Sequence, residues 1–460
     1  MTSALKETLN SILPELDIVS DPDSLQSYAS DWTKESPVTP EIVLRPETTE
    51  QLSIILNTCN SLQQPVVTQG GLTGLSGGAT PHAGEVAISL SKMRGIVELD
   101  KKGQTITVKA GTPLQEIQEA ADAAGFKLTL DLGARGNCSI GGNVATNAGG
   151  NQVIKYGMAR EQVLGLEAVK ADGTVLSAMN QMLKNNAGYD LKHLFIGTEG
   201  SLGIITQCVL RLHPKTRGRQ TALCGCETFD SVVTLLQQSQ ASFGSVSSFE
   251  VMWSSFYRYA MENVEYTRDP LQSTHAYYVL IEIESDGSEY AAEHCLEQLS
   301  NFMEQGLISD VVLAQSERES ADFWNIRDSI ADILGLLAPL ANFDIGVPIK
   351  HMEEFVGRVE QELNANYDKL TLIVFGHLGD GNLHLCASTG DYADKKKIYA
   401  DVYRISAAYG ATVTAEHGIG MNKKPYLALT RSEAEINTMR ELKRCLDPNN
   451  ILNRGRVFDL

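Results

Sequence analysis

Two histidines, a glutamate and a third histidine in the last quarter of the chain have the types and spacing of an open metal site with a base beside it. Residues 374–386 read V-F-G-H-L-G-D-G-N-L-H-L-C, so that His377 and His384 flank Gly379-Asp380-Gly381-Asn382. Further on stands Ala415-Glu416-His417-Gly418-Ile419-Gly420. Two neutral imidazoles and one carboxylate are a common ligand set for a divalent ion that keeps an open position, and a spare imidazole can then act as base. The same histidines could instead be exposed neighbours of a glycine turn. The Glu416-His417 pair, again beside turn glycines, favours metal.

The elements that would position these side chains are legible around them. The apolar run Thr371-Leu372-Ile373-Val374-Phe375 precedes the motif and the alternating Leu383-His384-Leu385-Cys386 follows it. Gly, Asp and Asn tolerate the positive φ that a tight reversal needs, which predicts strand, turn and strand, with His377 and His384 close together at one end of a sheet.

At 460 residues the chain is too long for one core, and two or three domains are expected. The formal net charge of −19 argues against nucleic acid and against an anionic membrane surface as partner. A small anionic substrate would need a locally positive site, which a metal and an arginine can supply. Eight scattered cysteines without a C-x-x-C pair read as free thiols in a reducing compartment, so a cytoplasmic protein is expected. The first residues, M-T-S-A-L-K-E-T-L-N, lack the pattern of a secretory signal or an Arg-rich transit peptide. The longest apolar run, Ile333 to Ala341, holds Gly335 and Pro339, so no integral membrane segment is expected.

Three glycine-rich stretches stand between short strands in the first half. After a strand at Pro65-Val66-Val67-Thr68 comes Gly70-Gly71-Leu72-Thr73-Gly74-Leu75-Ser76-Gly77-Gly78, which runs on into a second strand, Glu85 to Leu90. No helix follows at once, so a Rossmann fingerprint fails, and no Gly-Lys-Ser/Thr is present for a P-loop. Bare backbone N–H groups with Thr73 and Ser76 can still wrap a pyrophosphate. The second stretch, Asp131 to Gly150, is read as loop-rich and contains S-I-G-G-N-V-A-T-N-A-G-G; the third is G-T-E-G-S-L-G-I at 197–204. Three such loops point to backbone packed against one large flat ligand.

Elsewhere, Thr48 with Gln51 reads as a capping box opening a helix, and Thr112-Pro113 reads as the start of another, with Pro at its first position, that stops at Gly125. From about 216 to 370 glycine thins and helices alternate with strands. Helices are predicted at 228–240, 288–304, 316–337 and 351–366, and strands at 247–252, 277–283 and 310–313, an α+β pattern with its own core. The end is a helix stopped by Asp447-Pro448.

Together these stretches resemble the FAD-dependent D-2-hydroxy acid dehydrogenases (the D-lactate, glycolate and D-2-hydroxyglutarate dehydrogenase branch of the vanillyl-alcohol oxidase fold). The resemblance rests on G-G-L-T-G-L-S-G-G, S-I-G-G-N-V-A-T-N-A-G-G with Lys155-Tyr156-Gly157, G-T-E-G-S-L-G-I, H-L-G-D-G-N-L-H, A-E-H-G-I-G and D-P-N-N-I-L-N, in that order over nearly the whole chain. It implies an α+β fold: a PCMH-type, vanillyl-alcohol-oxidase-like FAD-binding domain over 1–215, an α+β substrate cap with the metal site over 216–420, and a C-terminal helical segment, 421–460, returning to the FAD domain.

The same resemblance implies that Gly70, Gly71, Leu72, Thr73, Gly74, Leu75, Ser76 and Gly77 hold the FAD pyrophosphate. Gly141, Gly142, Asn143, Thr146, Asn147 and Gly150 would line the flavin, with Ile205 on the adenine-ribose side and Asn453 completing the cofactor set. No histidine stands in these loops, so FAD is expected to be non-covalent. His377, His384 and Glu416 match the metal ligands, with Zn²⁺ expected and Mn²⁺, Fe²⁺ or Co²⁺ as alternatives. His417 matches the proton acceptor and Arg327 the arginine that binds the substrate carboxylate. Without the resemblance, Arg327 would read as a solvated charge on an amphipathic helix.

The implied reaction is oxidation of a D-2-hydroxy acid to the 2-oxo acid. Metal lowers the hydroxyl pKa, His417 removes the proton, and hydride passes to flavin N5. The 2-hydroxyglutarate branch tends to carry a hydroxyl residue, a lysine and an asparagine where this chain has Ala331, Asn342 and Cys386. Those changes remove polar partners for a second carboxylate, so the expected substrate, D-lactate-like or D-2-hydroxyglutarate-like, has either a less polar tail or a distal group held differently. The alternatives are a non-redox flavin transferase of the ether-lipid synthase type, a flavin-carrying electron-transfer subunit of a larger oxidase, and a flavin-free metallohydrolase. Electron acceptor (quinone, electron-transfer flavoprotein, cytochrome or oxygen) and oligomeric state, a homodimer included, stay open.

Overall fold

Short β-branched runs bounded by glycine and polar turns become the strands of the first half. Four of them, β1 (Asp17–Val19), β2 (Val43–Arg45), β3 (Val66–Gln69) and β4 (Val86–Ser89), form a sheet in the order β1-β2-β4-β3. β2 and β3 run parallel to β4, and the helix Thr49–Ser61 connects β2 to β3. Thr48 caps that helix by accepting from Gln51 N at 3.2 Å, while the Gln51 side chain reaches back to Glu47 N at 2.8 Å rather than to Thr48. No helix separates β3 from β4, as the failed Rossmann pattern requires.

A second, antiparallel sheet has the order β5-β6-β10-β8-β9, made of β5 (Ile96–Asp100), β6 (Thr105–Lys109), β8 (Val163–Val169), β9 (Val175–Ala178) and β10 (Ile204–Arg211). A two-stranded ribbon joins β7 (Phe126–Lys127) to β11 (His213–Pro214). One apolar cluster serves both larger sheets, running from Leu5 and Leu9 of the helix Thr2–Ile12 through Ile88, Val108 and Cys208 to Leu452.

The later strands form one seven-stranded antiparallel sheet in the order β15-β12-β14-β13-β17-β18-β16. They are β12 (Gly218–Cys226), β13 (Val246–Trp253), β14 (Tyr277–Ser285), β15 (Asp310–Leu313), β16 (Ala341–Gly346), β17 (Thr371–His377) and β18 (Asn382–Ser388). A separate core of Phe256, Tyr257, Tyr278, Leu280, Ile326 and Phe375 packs on it.

This computed structural model describes residues 2–460 and divides into two units. The first holds the residues up to Gly150 with Gly157–Lys215 and Glu416–Leu460; the second holds Asn151–Tyr156 and Thr216–Ala415. The A-E-H-G-I-G segment, expected with the cap, therefore belongs to the first unit from Glu416 onward.

Three local expectations are corrected. The segment 140–145, read as loop, is the short helix Ile140–Ala145, because Ser139 accepts from Gly142 N and caps it. Pro113 is the N-cap residue of the helix Leu114–Ala123, not its first residue, and Thr112 Oγ1 is engaged with Gly95 and Lys109 instead of capping. The helix expected over 316–337 is two, Glu317–Asp328 and Ile330–Leu336, divided at the fully buried Ser329, whose hydroxyl donates to Ile326 O at 2.7 Å. Among the described residues no helix is long and apolar enough to cross a membrane.

Candidate active site

In the second unit the hairpin of β17 and β18 brings the two histidines together. A 3₁₀ turn at Leu378–Asp380 leads into Gly381, whose φ of 77° is the left-handed conformation that glycine adopts without strain. Asp380 Oδ1 accepts from Asn382 N at 3.1 Å and closes the reversal. His377 then stands opposite Asn382, and His384 opposite Phe375. The two imidazole rings lie 5.3 Å apart between centroids, at 85° to each other, and both are buried.

The neighbouring strands add two carboxylates on the same face. β13 places Glu250 opposite His377, and β16 places Asp344 opposite His384. Every residue of β13 is buried, Glu250 with them. Its Oε1 accepts from His377 Nδ1 at 2.6 Å and its Oε2 from Arg327 Nε at 2.8 Å. Burial alone would raise the Glu250 carboxyl, but its His377 and Arg327 partners outweigh that and hold it below the usual carboxylate range.

Arg327 comes from the helix Glu317–Asp328 and is buried, so the solvated-charge alternative fails. Its guanidinium lies 4.9 Å from the Phe375 ring centroid, and its Nη2 meets His377 Nε2 at 3.3 Å. Farther along the face Asn342 is paired with Cys386 across β16 and β18. Burial pushes the Cys386 thiol up to about 12, so it is a neutral group at physiological pH.

In the first unit the glycine loops are stitched to one another. A Cβ on Gly71 would lie 1.9 Å from Asn137 O, one on Gly70 2.3 Å from Ser139 Oγ, and one on Gly150 2.0 Å from Asp131 O. Gly141 is pressed in the same way against Ala110. These glycines are demanded by protein packing on protein. Gly74 differs, since a Cβ there would meet only Asp31, at 3.5 Å.

The other expected cofactor residues are placed as follows. Leu72 has a φ of 58°, and Thr73 and Leu75 lie beside it in the same loop. Asn143 Nδ2 donates to Cys138 Sγ at 3.4 Å, Thr146 Oγ1 to Gly142 O at 3.1 Å, and Asn147 Oδ1 accepts from Arg160 N at 2.9 Å. Ile205 is buried in β10. Asn453 clamps two segments, accepting from Thr68 N at 2.9 Å and donating to Glu199 O at 2.7 Å.

The segment from Glu416 onward is held by the same loops. Glu416 Oε1 accepts from Gly150 N at 3.1 Å, and Ser76 Oγ donates to His417 O at 3.0 Å. Gly77 borders the same segment, where a Cβ would lie 2.9 Å from Asn422 Oδ1. The buried Glu199 accepts from Ile419 N at 2.7 Å and from Gly420 N at 2.8 Å. Burial raises the Glu199 carboxyl, and these two N–H groups only partly oppose it.

Two site residues escaped the sequence reading, Glu250 and Glu199. The signal for Glu250 was an acid within the apolar strand V-S-S-F-E-V-M-W, a position that stability alone does not favour. Glu199 was in view within G-T-E-G-S but carried no pattern beyond a loop.

The donor groups fit the cofactors that the sequence implies. Two adjacent imidazoles, one hydrogen-bonded through its second nitrogen to a carboxylate, are a ligand pair with its outer support in place. At the head of the glycine loop Thr68 Oγ1 is a buried hydroxyl without a protein partner, and beyond it Gly74 leaves room beside exposed backbone, as a phosphate cradle would.

Residues 40–178 match the family model described as an FAD binding domain, and residues 215–457 match that of the FAD linked oxidases, C-terminal domain. The D-2-hydroxyglutarate dehydrogenase, mitochondrial, of Arabidopsis thaliana is 36% identical over 450 residues, covering 97% of this chain and 80% of that protein. The D-2-hydroxyglutarate dehydrogenase of Xanthomonas citri pv. viticola is 35% identical over 468 residues, covering 100% of this chain and 98% of that one. The crystal structure of p-cresol methylhydroxylase with substrate bound superposes with a TM-score of 0.80 at 16% identity, covering 100% of this chain and 97% of that one, and so shares the fold. With the fold, both family models and full-length relatives in agreement, the chain belongs to the FAD-linked oxidases, in the family of FAD-dependent D-2-hydroxy acid dehydrogenases.

Proposed function

We propose that the protein oxidises a D-2-hydroxy acid to the 2-oxo acid, using non-covalent FAD and a divalent metal, Zn²⁺ first, held by His377, His384 and Glu416. The observation that carries this reading is the buried sheet face of His377 and His384, against which the helix Glu317–Asp328 sets Arg327. Bound FAD supplies a two-electron acceptor for the hydride that leaves Cα, and a bound metal supplies Lewis acidity that lowers the pKa of the hydroxyl.

The chain's own groups do the rest. Arg327 presents a fixed guanidinium to the substrate carboxylate, the planar fork that pairs best with it. His417 takes the hydroxyl proton, as an imidazole can near neutral pH, and Ser76 anchors its main chain. Thr414 Oγ1 donates to Asp344 Oδ2 at 2.8 Å and Ala415 N to Asp344 O at 3.1 Å; Glu416 is the next residue along. Gly70 to Gly77 hold the pyrophosphate, Gly141, Gly142, Asn143, Thr146, Asn147 and Gly150 line the flavin, and Ile205 and Asn453 complete the cofactor site.

For the substrate tail, the neutral Ala331, Asn342 and Cys386 favour a D-2-hydroxy acid less polar than a dicarboxylate. The names of the relatives favour D-2-hydroxyglutarate instead. Reoxidation falls to a quinone, an electron-transfer flavoprotein or a cytochrome in the cytoplasm, and an acceptor screen assigns it.

The test is an anaerobic visible spectrum of the purified protein, with D- and L-2-hydroxy acids added singly, with and without chelator. Bleaching of the flavin band by D-acids alone, and only with metal, is expected. A flavin band that none of them bleaches overturns the proposal. A clear preference in kcat/KM for D-2-hydroxyglutarate over D-lactate and longer aliphatic acids sinks the less polar tail.

A further inference from the structure

We infer that Glu250 is a positioning residue that fixes the tautomer of His377 and the orientation of Arg327 at once. The inference rests on the proposed roles of those two residues in metal and substrate binding.

A guanidinium has only donors, so at the 3.3 Å contact between Arg327 Nη2 and His377 Nε2 the imidazole nitrogen must be the acceptor. A neutral imidazole carries a single N–H, so with Nε2 accepting the proton sits on Nδ1, and at the 2.6 Å contact with Glu250 Oε1 the imidazole donates. Both neighbours therefore impose one tautomer, with the proton on Nδ1 and the lone pair on Nε2. A bound metal ion would take that lone pair in place of the Arg327 contact, and a carboxylate behind the other ring nitrogen is how ligating histidines are oriented.

The second oxygen of Glu250 acts on Arg327. Oε2 accepts from Nε at 2.8 Å, which pins the guanidinium plane against the Phe375 ring and leaves Nη1, with the second N–H of Nη2, as its remaining donors. One carboxylate thus orients the group proposed to hold metal and the group proposed to hold the substrate carboxylate. Glu250 can do both because β13 sets it directly opposite His377.

Two substitutions separate this role from simple packing. Glu250→Gln keeps the shape but replaces one acceptor oxygen with an NH₂ donor. Facing His377 Nδ1, that donor favours the other tautomer and takes the Nε2 lone pair away; facing Arg327, it meets a second donor. Glu250→Asp shortens the side chain but remains an acceptor on both oxygens. Metal affinity, read without substrate by chelator competition and metal analysis, is expected to fall about 10–100-fold in E250Q and less in E250D. KM for the preferred D-2-hydroxy acid is expected to rise at least about tenfold in E250Q, with the flavin still reducible by dithionite.

A packing role predicts the reverse order, with the isosteric Gln harmless and the shorter Asp damaging. That order, or an E250Q protein with unchanged metal affinity and KM, overturns the inference. If neither variant folds, ¹⁵N shifts of the wild-type histidines decide: Nδ1–H at His377 is expected, and Nε2–H overturns it. Wild-type protein that holds metal but oxidises no 2-hydroxy acid breaks the activity reading alone, because affinity and tautomer are read without turnover. Wild-type protein that holds no metal overturns both.

Discussion

Cys386 stands directly opposite Asn342 across β16 and β18, and its Sγ donates to Asn342 Oδ1 at 3.4 Å. The pair is neutral, since the buried Cys386 thiol ionises only at about 12. It shares a sheet face with His384 and Phe375 and is a candidate wall for the substrate tail. Asn342→Lys with Cys386→Asn would replace it with a cation and an amide. A charge-assisted hydrogen bond contributes about 1.5–3 kcal/mol, so kcat/KM for D-2-hydroxyglutarate relative to D-lactate should rise by about 10–100-fold. An unchanged ratio in a variant that still bleaches its flavin would remove the pair from specificity.

The glycines of the first loop divide into two kinds, and two variants tell them apart. Gly71→Ala forces a Cβ to within 1.9 Å of a backbone oxygen, and overpacking of that kind should cost about 3 kcal/mol whether or not FAD is bound. Gly74→Ala meets only Asp31, at 3.5 Å, so the thermal midpoint of the apoprotein should hardly move. If the Gly74 backbone touches the pyrophosphate, the flavin-to-protein absorbance ratio after gel filtration should nevertheless drop. A Gly74→Ala protein that keeps its full flavin would take Gly74 out of the cofactor site.

What the sequence discloses, and what it hides, follows the range of the interactions involved. The β17–β18 hairpin is legible because its turn chemistry and its alternation lie within about a dozen neighbouring residues. The helix Ile140–Ala145 is hidden because two of its six residues are glycines, poor helix formers, and a single serine cap is its only local mark. The break at Ser329 is hidden because a serine in a helical run looks like part of the polar face. Glu250 lies 77 residues from Arg327 and 127 from His377 in sequence, so its role exists only once β13, β17 and the helix carrying Arg327 are assembled. The burial of Arg327, which its helix pattern alone would leave solvated, is hidden for the same reason.

The cysteines give a prediction that needs no substrate. Burial pushes Cys59, Cys208, Cys226 and Cys386 up to about 12 and Cys295 to about 11, and raises Cys138 and Cys224 as well. Cys445 alone among the eight is exposed. Native protein at pH 8 should therefore release about one equivalent of thionitrobenzoate from an aromatic disulfide reagent, and denatured protein about eight, because only the thiolate attacks. Several rapid equivalents in the native state would mean that the strand cores open readily.

Glu199 ties the loop that carries His417 to the third glycine stretch, its own, through its bonds to Ile419 N and Gly420 N. Glu199→Gln leaves one acceptor oxygen for two N–H groups and turns a donor toward the other, a mismatch of about 1–3 kcal/mol. The sign of its pH dependence follows from burial, which holds the folded-state pKa above the ordinary 4.5. The folded protein then binds the proton more tightly than the unfolded chain, so the stabilisation is complete below about 4.5 and is lost as pH rises through the folded value. Urea unfolding of wild type and E199Q from pH 5.5 upward, where the chain keeps its net negative charge, should show the wild-type advantage shrinking and then levelling off. An advantage that grows with pH would mean that the two N–H donors hold the carboxylate ionised against burial. In either case flavin reduction by substrate should slow in E199Q while FAD stays bound, because the main chain on the C-terminal side of His417 loses its anchor.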